Sequence, residues 1–322
     1  MAQAITVTSP TDFTVTRTRS PWIQVAGRIA RNPPALLGAL VIIAMVLVAI
    51  FAPVLAPYRY DAQNLAIAEQ GPSPAHWLGT DGLGRDMLSR LIYGARSAVF
   101  VIILVTLVDL LLGLPLGAAA GYFGGWTDTV IMRIADILFA FPGLLFVFLI
   151  AATIKPAILQ WASTHGLDAL ARSGYLDYAV VIIALGVVGW AGLARLIRAQ
   201  VLTIKEREYV VGARAIGVPT WKLIGRHILP NAMAPIIIAL SMGMGDIALS
   251  EGYLSFLGIG LQPPNPSWGN IIADNAGRYW RIFPQMIWLV LIPGIVLATV
   301  VFAFNFLGDG LNEALNPESE RY

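Results

Sequence analysis

The 322-residue chain is 57% hydrophobic and only 12% charged, whereas a soluble domain carries about 25% charged residues. This composition excludes an ordinary water-soluble globule. The absence of cysteine excludes disulfides, thiolate metal ligands and a cysteine nucleophile. The net charge is +2 and no run of five or more basic residues occurs, so the sequence does not indicate a nucleic-acid partner.

The N-terminal region is predicted to stay outside the bilayer core. Residues 1–20 are rich in Ser, Thr and Arg and lack an apolar core, which predicts a disordered cytoplasmic tail and not a signal peptide. Residues 21–34 predict a short interfacial helix, because four apolar side chains share one helical face with two arginines nearby. These are Trp22, Val25, Ala26, Ile29, Arg28 and Arg31.

Six apolar stretches follow, each longer than the ~20 residues that a spanning helix requires. They cover residues 35–56, 98–120, 131–154, 179–200, 232–258 and 284–307. The predicted fold class is an all-α membrane protein with six transmembrane helices in one domain, residues 35–317, and a cytoplasmic tail at 318–322. Placing the N-terminus in the cytoplasm puts most of the 21 lysines and arginines on the cytoplasmic side. Both termini are therefore expected inside.

Small and acidic residues interrupt the apolar spans. Gly113, Gly117 and Gly121 recur at four-residue spacing, which allows another helix backbone to approach closely. Asp109, Asp246 and Glu251 fall within spans, where a carboxylate at mid-bilayer costs about 2.5 to 3.5 kcal/mol unless it faces protein or water. Each is a functional candidate; Asp109 is equally compatible with an acid that locks two helices together.

Signals for catalysis or nucleotide binding are missing from the sequence. It contains no GxxxxGK[ST], HExxH or GxSxG motif. His76, His165 and His227 fall in predicted loops, far apart in sequence, and we expect them to be solvated. The sequence therefore predicts no catalytic residue, bound cofactor or metal on this chain.

The loop between the fourth and fifth spans, residues 205–231, predicts two short helices joined by a turn. The first covers about 205–216 and ends at Gly217, a plausible left-handed residue. The second is capped by Thr220 and ended by Pro230. The apolar positions are Tyr209, Ala213 and Ile216 in the first helix and Trp221, Ile224 and Ile228 in the second. Such a hairpin folds back on its own spans or docks into another protein.

This loop resembles the EAA loop of bacterial ABC importer permeases. In that pattern EAA is followed by three residues, Gly, nine residues, Ile, any residue, Leu and Pro. The matching positions are Ala213, Gly217, Leu229 and Pro230, and the departures are Val211, Gly212 and His227 in place of Glu, Ala and Ile.

Further segments resemble the second, C-type permease of dipeptide and oligopeptide importers. They are HWLGTDGLGRDMLSRLIYGARSA at 76–98, GYFGGWTD at 121–128, AFPGLL at 140–145, SFLGIGLQPPNPSWG at 255–269 and NFLGDGLNEALNP at 305–317. In the first segment apolar residues oppose charged ones, which predicts a surface helix on the outer leaflet. The outer segment 155–178 is longer than is usual in this subfamily, which suits either a wider contact with a binding protein or a tolerated insertion.

The resemblance implies a non-catalytic permease subunit in the bacterial inner membrane. Its partners would be a homologous B-type permease, two cytoplasmic ABC ATPases that carry the ATP and Mg²⁺, an extracytoplasmic solute-binding protein and the lipid bilayer. The implied cargo is a dipeptide or oligopeptide, although the family also includes importers of glutathione and nickel chelates.

Three groups of residues follow from this interpretation as candidate sites. The ATPase-coupling group is Glu208, Tyr209, Ala213, Arg214, Gly217, Trp221, Leu229 and Pro230. The pathway-lining group is Ser241, Asp246, Ser250 and Glu251. The external gate or receptor contact is Pro263, Pro264, Asn265 and Trp268.

Two other classes of protein compete with this interpretation. An ion-coupled secondary transporter would use Asp109 or Glu251 as its proton site, but the sequence lacks inverted repeats. A membrane-embedded hydrolase would need a nucleophile and a base in reach of each other, which three loop histidines do not provide.

Overall fold

The computed structural model describes residues 21–279 and 286–315. The helices in these ranges are α1 (Pro21–Ile29), α2 (Pro33–Leu55), α3 (Met87–Phe123), α4 (Gly125–Phe139), α5 (Gly143–Thr164), α6 (Asp168–Arg172), α7 (Tyr175–Ile204), α8 (Glu208–Ala215), α9 (Thr220–Lys222), α10 (Leu229–Phe256), α11 (Trp268–Tyr279) and α12 (Trp288–Leu315). A π-helical turn, Leu223–Ile228, joins α9 to α10. The predicted tails 1–20 and 318–322, and the last two residues of the 305–317 motif, lie outside the described residues.

Six helical segments are long and apolar enough to cross a membrane, which confirms the predicted fold class. They are Pro33–Leu55, Met87–Phe123, Gly143–Thr164, Tyr175–Ile204, Thr220–Phe256 and Trp288–Leu315. We call the end of the bundle that carries residues 205–228 the hairpin end. The opposite end, with residues 56–86 and 257–279, is the loop end. The hairpin joins the fourth span to the fifth, and successive spans run in opposite directions. Helix α2 therefore begins, and α12 ends, at the hairpin end.

Helices α3 and α7 form the most extensive helix contact of the bundle. The predicted glycine spacing explains their close approach. A Cβ at Gly117 would lie 2.5 Å from the carbonyl oxygen of Ala194, and one at Gly121 would lie 2.8 Å from that of Arg198. The structure thus confirms that the glycine face of α3 receives another helix backbone.

The third apolar stretch differs from its expected bounds. The sequence predicts one span over 131–154, but the chain turns at residues 140–142 and the spanning helix starts at Gly143. Pro142 explains the turn, because it has no amide hydrogen and disfavours a helical conformation at Phe141. The preceding helix α4 packs against α3 and α7 and is too short to cross a bilayer.

The predicted surface helix in the segment 76–98 is wrong. Met87 begins the 37-residue helix α3, capped by Asp86, whose carboxylate accepts from the Ser89 amide at 2.8 Å. The side chain of Arg90, expected on a solvated face, is buried with a relative exposure of 2%. Its charge is tolerated there because carboxylates compensate it, as described below.

The long segment 155–178 is folded onto the rest of the loop end. Helix α5 extends to Thr164 and α6 follows at Asp168–Arg172. Lys155 Nζ lies 2.8 Å from Asp177 Oδ1, and the Asn265 side-chain amide donates to the carbonyl of Ser173 at 3.1 Å. The extra residues therefore pack against the loop that follows α10.

Candidate coupling surface and membrane pathway

The residues between α7 and α10 form a helical hairpin held rigidly against the bundle. Helix α8 ends where Gly217 adopts φ +83°, which confirms the expected left-handed stop. The amide of Val218 donates to the carbonyl of Ala213 at 3.1 Å across this turn. Lys205 Nζ donates to the carbonyl of Gly121 at 2.9 Å, where a cation satisfies a free carbonyl at the end of α3.

The apolar face that the hairpin buries overlaps the predicted face only in part. Val210, Leu223 and Ile228 are the buried anchors, packed with Val201 and Ile204 of α7. Of the predicted positions, only Ala213, Ile224 and Ile228 join this cluster. Tyr209 and Ile216 of the first helix are not needed for attachment, because α8 is only eight residues long and Val210 and Ala213, three apart, suffice.

Four other apolar side chains of the hairpin are exposed. Ile216 is 82% exposed and Trp221 is 71% exposed, and Tyr209 and Val211 are about half exposed. The other predicted coupling residues divide in the same way. Glu208, Arg214, Gly217 and Pro230 are exposed and Ala213 and Leu229 are partly buried. We call the set Tyr209, Val211, Ile216 and Trp221 the hairpin patch.

Pro230 does not end the second hairpin helix, contrary to expectation. The π-helical turn Leu223–Ile228 carries the helix directly into α10, and the amide of Leu229 donates to the carbonyl of Ile224. Pro230 is the second residue of α10 and directly follows the π-helical turn, so the helix continues through it. The hairpin and the fifth span are therefore one continuous rod, Thr220–Phe256.

The three acids of the spans lie in different environments. Asp246 is exposed on α10 and makes no ion pair with any residue in the two described ranges. Glu251 is 1% exposed, and its Oε1 accepts from Ser255 Oγ at 2.6 Å. Ser241 and Ser250 are partly buried. Asp109 is 9% exposed and borders a cavity of about 240 Å³ between α3, α7 and α10.

The predicted external contact residues separate into an exposed pair and a buried pair. Pro263 and Pro264 are exposed, whereas Asn265 and Trp268 are 7% and 2% exposed. Trp268 Nε1 donates to the carbonyl of Leu91 at 3.1 Å, which ties the loop to α3. Only the two prolines are accessible to another molecule in this structure.

A buried ion cluster at the loop end was missed by sequence reasoning. Asp81 Oδ2 accepts from Arg90 at 2.6 Å and from Arg85 at 2.7 Å, and both arginines also reach Asp274 Oδ2 at 2.9 Å. Burial raises the pKa of the Asp81 carboxyl, but the two guanidinium groups and backbone donors outweigh this and hold the pKa below its ordinary value. The sequence signal for this cluster was the close spacing of Asp81, Arg85 and Arg90 in the segment 76–98.

The expectation that His76 is simply solvated is also wrong. Its Nδ1 lies 2.8 Å from Asp86 Oδ1, and the side chain is only 13% exposed. Sequence spacing hid this pair because the loop between the two residues folds back on itself. Among the described residues no group of three or more His, Cys, Asp or Glu side chains is arranged to hold a metal.

The fold and these surfaces define a multi-pass helical membrane protein with exposed apolar side chains on a hairpin at one end. Residues 113–321 match the family described as binding-protein-dependent transport system inner membrane component. Residues 20–72 match the N-terminal transmembrane domain of oligopeptide transport permease C. The chain belongs to the binding-protein-dependent transport family and is a permease subunit of the inner membrane.

Curated relatives match nearly the whole chain. It is 37% identical to a dipeptide transport system permease protein of Alkalihalophilus pseudofirmus, over 93% of this chain and 90% of that protein. An oligopeptide transport system permease protein of Bacillus subtilis is 36% identical with the same coverage. A glutathione transport system permease protein of Pectobacterium atrosepticum is 36% identical over 93% of this chain and 92% of that protein.

Proposed function

We propose that this chain supplies half of the translocation pathway of an ATP-driven importer of dipeptides or oligopeptides. A homologous permease would supply the other half, a solute-binding protein would deliver the cargo, and two ATPase subunits would bind ATP and Mg²⁺. The similarity to dipeptide and oligopeptide permeases supports this cargo. Because a glutathione permease is similarly identical, we propose short peptides in general as the cargo and not one particular peptide.

The hairpin patch is the observation that carries the coupling role. Its four apolar side chains stand outside the bundle on a frame fixed by Val210 and Leu223. Exposed apolar side chains on a rigid helix suit a groove in a partner protein. Because the hairpin continues into α10 without a break, a displacement of the patch acts directly on a spanning helix. The sequence has no GxxxxGK[ST] motif, so in the proposed importer the ATP is bound by another chain.

We place the hairpin end, and with it both termini, in the cytoplasm. The segment between α7 and α10 contributes much of the excess of lysine and arginine on that side. The loop end then faces the solute-binding protein, and Pro263 and Pro264 are its exposed candidates for contact. The buried Asn265 and Trp268 position this loop.

Asp246 is the strongest candidate for a pathway residue. An exposed carboxylate in a spanning helix cannot face hydrocarbon without a cost of about 2.5 to 3.5 kcal/mol. It therefore faces water or the second permease. Ser250 lies one turn further along α10 on the same side, and Ser241 is partly buried on that helix. Glu251 is enclosed by protein and acts there as a hydrogen-bond acceptor for Ser255.

Site-directed cross-linking tests the coupling role in this naturally cysteine-free chain. Ile216→Cys is expected to cross-link to a co-expressed ATPase subunit and to resist an impermeant maleimide in intact cells. Pro263→Cys, exposed at the loop end, is the matched control and should react with that maleimide but not with the ATPase. Absence of the Ile216→Cys cross-link with uptake retained contradicts the coupling role, and peptide uptake without any ATPase contradicts the proposed function.

A further inference from the structure

The cavity beside Asp109 lies within the spanning helices. Helix α3 contributes Thr106 and Asp109, and α7 contributes Gly189, Gly192, Leu193 and Leu196. Helix α10 contributes Ala239, Leu240, Gly243 and Ile247. Its volume of about 240 Å³ is smaller than the ~300 to 1,000 Å³ of pockets that enclose a whole drug-sized ligand. It therefore suits one end of a ligand better than a complete molecule.

Two hydrogen-bond acceptors in this cavity have no partner within the described part of the chain. They are Oδ1 of Asp109 and Oγ1 of Thr106; both lie just behind the cavity surface in this structure, so a ligand in the cavity reaches them once these side chains turn toward it. Buried oxygens of this kind are rare, because each lost hydrogen bond costs about 1 to 3 kcal/mol. The residues that border the cavity include no lysine, arginine or histidine to compensate the carboxylate.

The carboxylate is fitted closely against a glycine of α7. A Cβ at Gly189 would lie 2.5 Å from Asp109 Oδ2, so any other residue there would displace the acid. The packing of α3 on α7 thus holds Asp109 in place without giving it a hydrogen-bond donor. Such a contact positions an acceptor and leaves its bonding capacity for another group.

The cavity adjoins the face of α10 that carries Asp246. Successive residues of an α-helix turn by about 100°, which places Asp246 about 60° and Ser250 about 20° from Gly243 around the axis. Gly243 borders the cavity, and Asp246 is exposed beside it. Asp246 does not border the cavity itself but lies on the neighbouring face of α10, so the carboxylate at the cavity is that of Asp109.

We propose that this cavity binds the protonated amino group of the cargo as it crosses the membrane. An ammonium group carries three N–H donors, enough to satisfy both unpartnered oxygens, Asp109 Oδ1 and Thr106 Oγ1. It is also the end of a peptide that a carboxylate attracts, since the other terminus is an anion. Identifying the ligand as a peptide terminus rests on the proposed function, whereas the affinity of the cavity for a primary ammonium group rests on its lining alone.

Thiol modification in the assembled complex tests the site directly. Leu196→Cys places the only cysteine of this chain at the cavity. Its modification, read by mass on this chain, is compared for the cation 2-aminoethyl methanethiosulfonate and the anion 2-sulfonatoethyl methanethiosulfonate. We expect the ratio of the cation rate to the anion rate to be at least about tenfold higher in Leu196→Cys than in a Pro263→Cys control. The dipeptide Ala-Ala should slow the reaction, and N-acetyl-Ala-Ala should not.

Removing the charge identifies the group responsible. Asp109→Asn in the Leu196→Cys background should lower the ratio of cation to anion rates about tenfold. Thr106→Val, a second variant that keeps the carboxylate, should preserve that ratio but weaken protection by Ala-Ala. Asp61→Asn, at the loop end and paired with Arg59, is the matched charge control and should change neither.

The outcomes separate this inference from the proposed function. An unreactive thiol in the Leu196→Cys variant, an unchanged ratio in Asp109→Asn, or equal protection by free and acetylated dipeptide overturns the amine site. ATP-dependent uptake of Ala-Ala by the same complex is measured in parallel. Uptake without the charge effect supports the proposed function and contradicts the amine site. The charge effect without uptake supports the amine site and contradicts the proposed function.

Discussion

Arg90 of α3 donates to the carboxylate of Asp81 at 2.6 Å, and the two side chains are 2% and 1% exposed. The same guanidinium group reaches Asp274 of α11 at 2.9 Å. Three separate parts of the chain, the 56–86 loop, α3 and α11, thus meet at one buried arginine. This contact fixes the loop end, where we expect the binding protein to dock.

Removing one partner of this cluster should destabilise the loop end strongly. In Asp81→Asn two buried guanidinium groups lose their main acceptor, and breaking a buried pair costs about 3 to 5 kcal/mol. Asp61→Asn breaks the exposed pair with Arg59 and should cost at most about 1 kcal/mol. Thermal unfolding in detergent measures both variants. Equal midpoints for the two would contradict the importance of the buried cluster.

The same carboxyl should make stability fall in acid. The arginines hold the pKa of Asp81 below its ordinary value of 3.8 in the folded chain, despite its burial. Its contribution is therefore complete above the unfolded pKa and is lost as pH falls through the folded one. We expect the unfolding midpoint to drop as pH falls below about 5, and less steeply in Asp81→Asn. Parallel profiles for the two proteins would contradict this assignment.

Close packing of α3 on α7 should make Gly117 intolerant of a side chain. Gly117→Ala places a Cβ 2.5 Å from the Ala194 carbonyl, and overpacking of this kind costs about 1 to 3 kcal/mol. At Gly143 a Cβ meets no atom within 4 Å, so Gly143→Ala is the matched control and should be neutral or slightly stabilising. Denaturant unfolding of both variants measures the difference. A neutral Gly117→Ala would mean that the helices separate without cost.

Most of the helical framework could be predicted from the sequence because bilayer spans need long apolar runs. The glycine spacing of α3 also identified a helix contact, because it too is a pattern within one short stretch of sequence. The break before Gly143 was overlooked since apolarity continues across it, although Pro142 was visible. Local composition thus finds spanning helices more reliably than it finds their ends.

The candidate sites were less predictable because they depend on contacts between distant segments. Arg90 and His76 find their acid partners only after the loop end has folded. In the hairpin, the sequence identified two helices but only some of the residues on their buried side, because α7 decides which residues are covered. Asp109 was recognised as unusual, whereas its cavity required the positions of α7 and α10.

The division of the hairpin into buried and exposed residues gives a final prediction. Leu223 is 1% exposed and anchors the hairpin, so Leu223→Ala should lower stability by about 2 to 5 kcal/mol. Trp221 is 71% exposed, so Trp221→Ala should change stability by no more than about 0.5 kcal/mol. In the complex, however, Trp221→Ala should reduce peptide-stimulated ATP hydrolysis while leaving the midpoint unchanged. A Trp221→Ala complex with normal coupling would exclude this side chain from the docking contact.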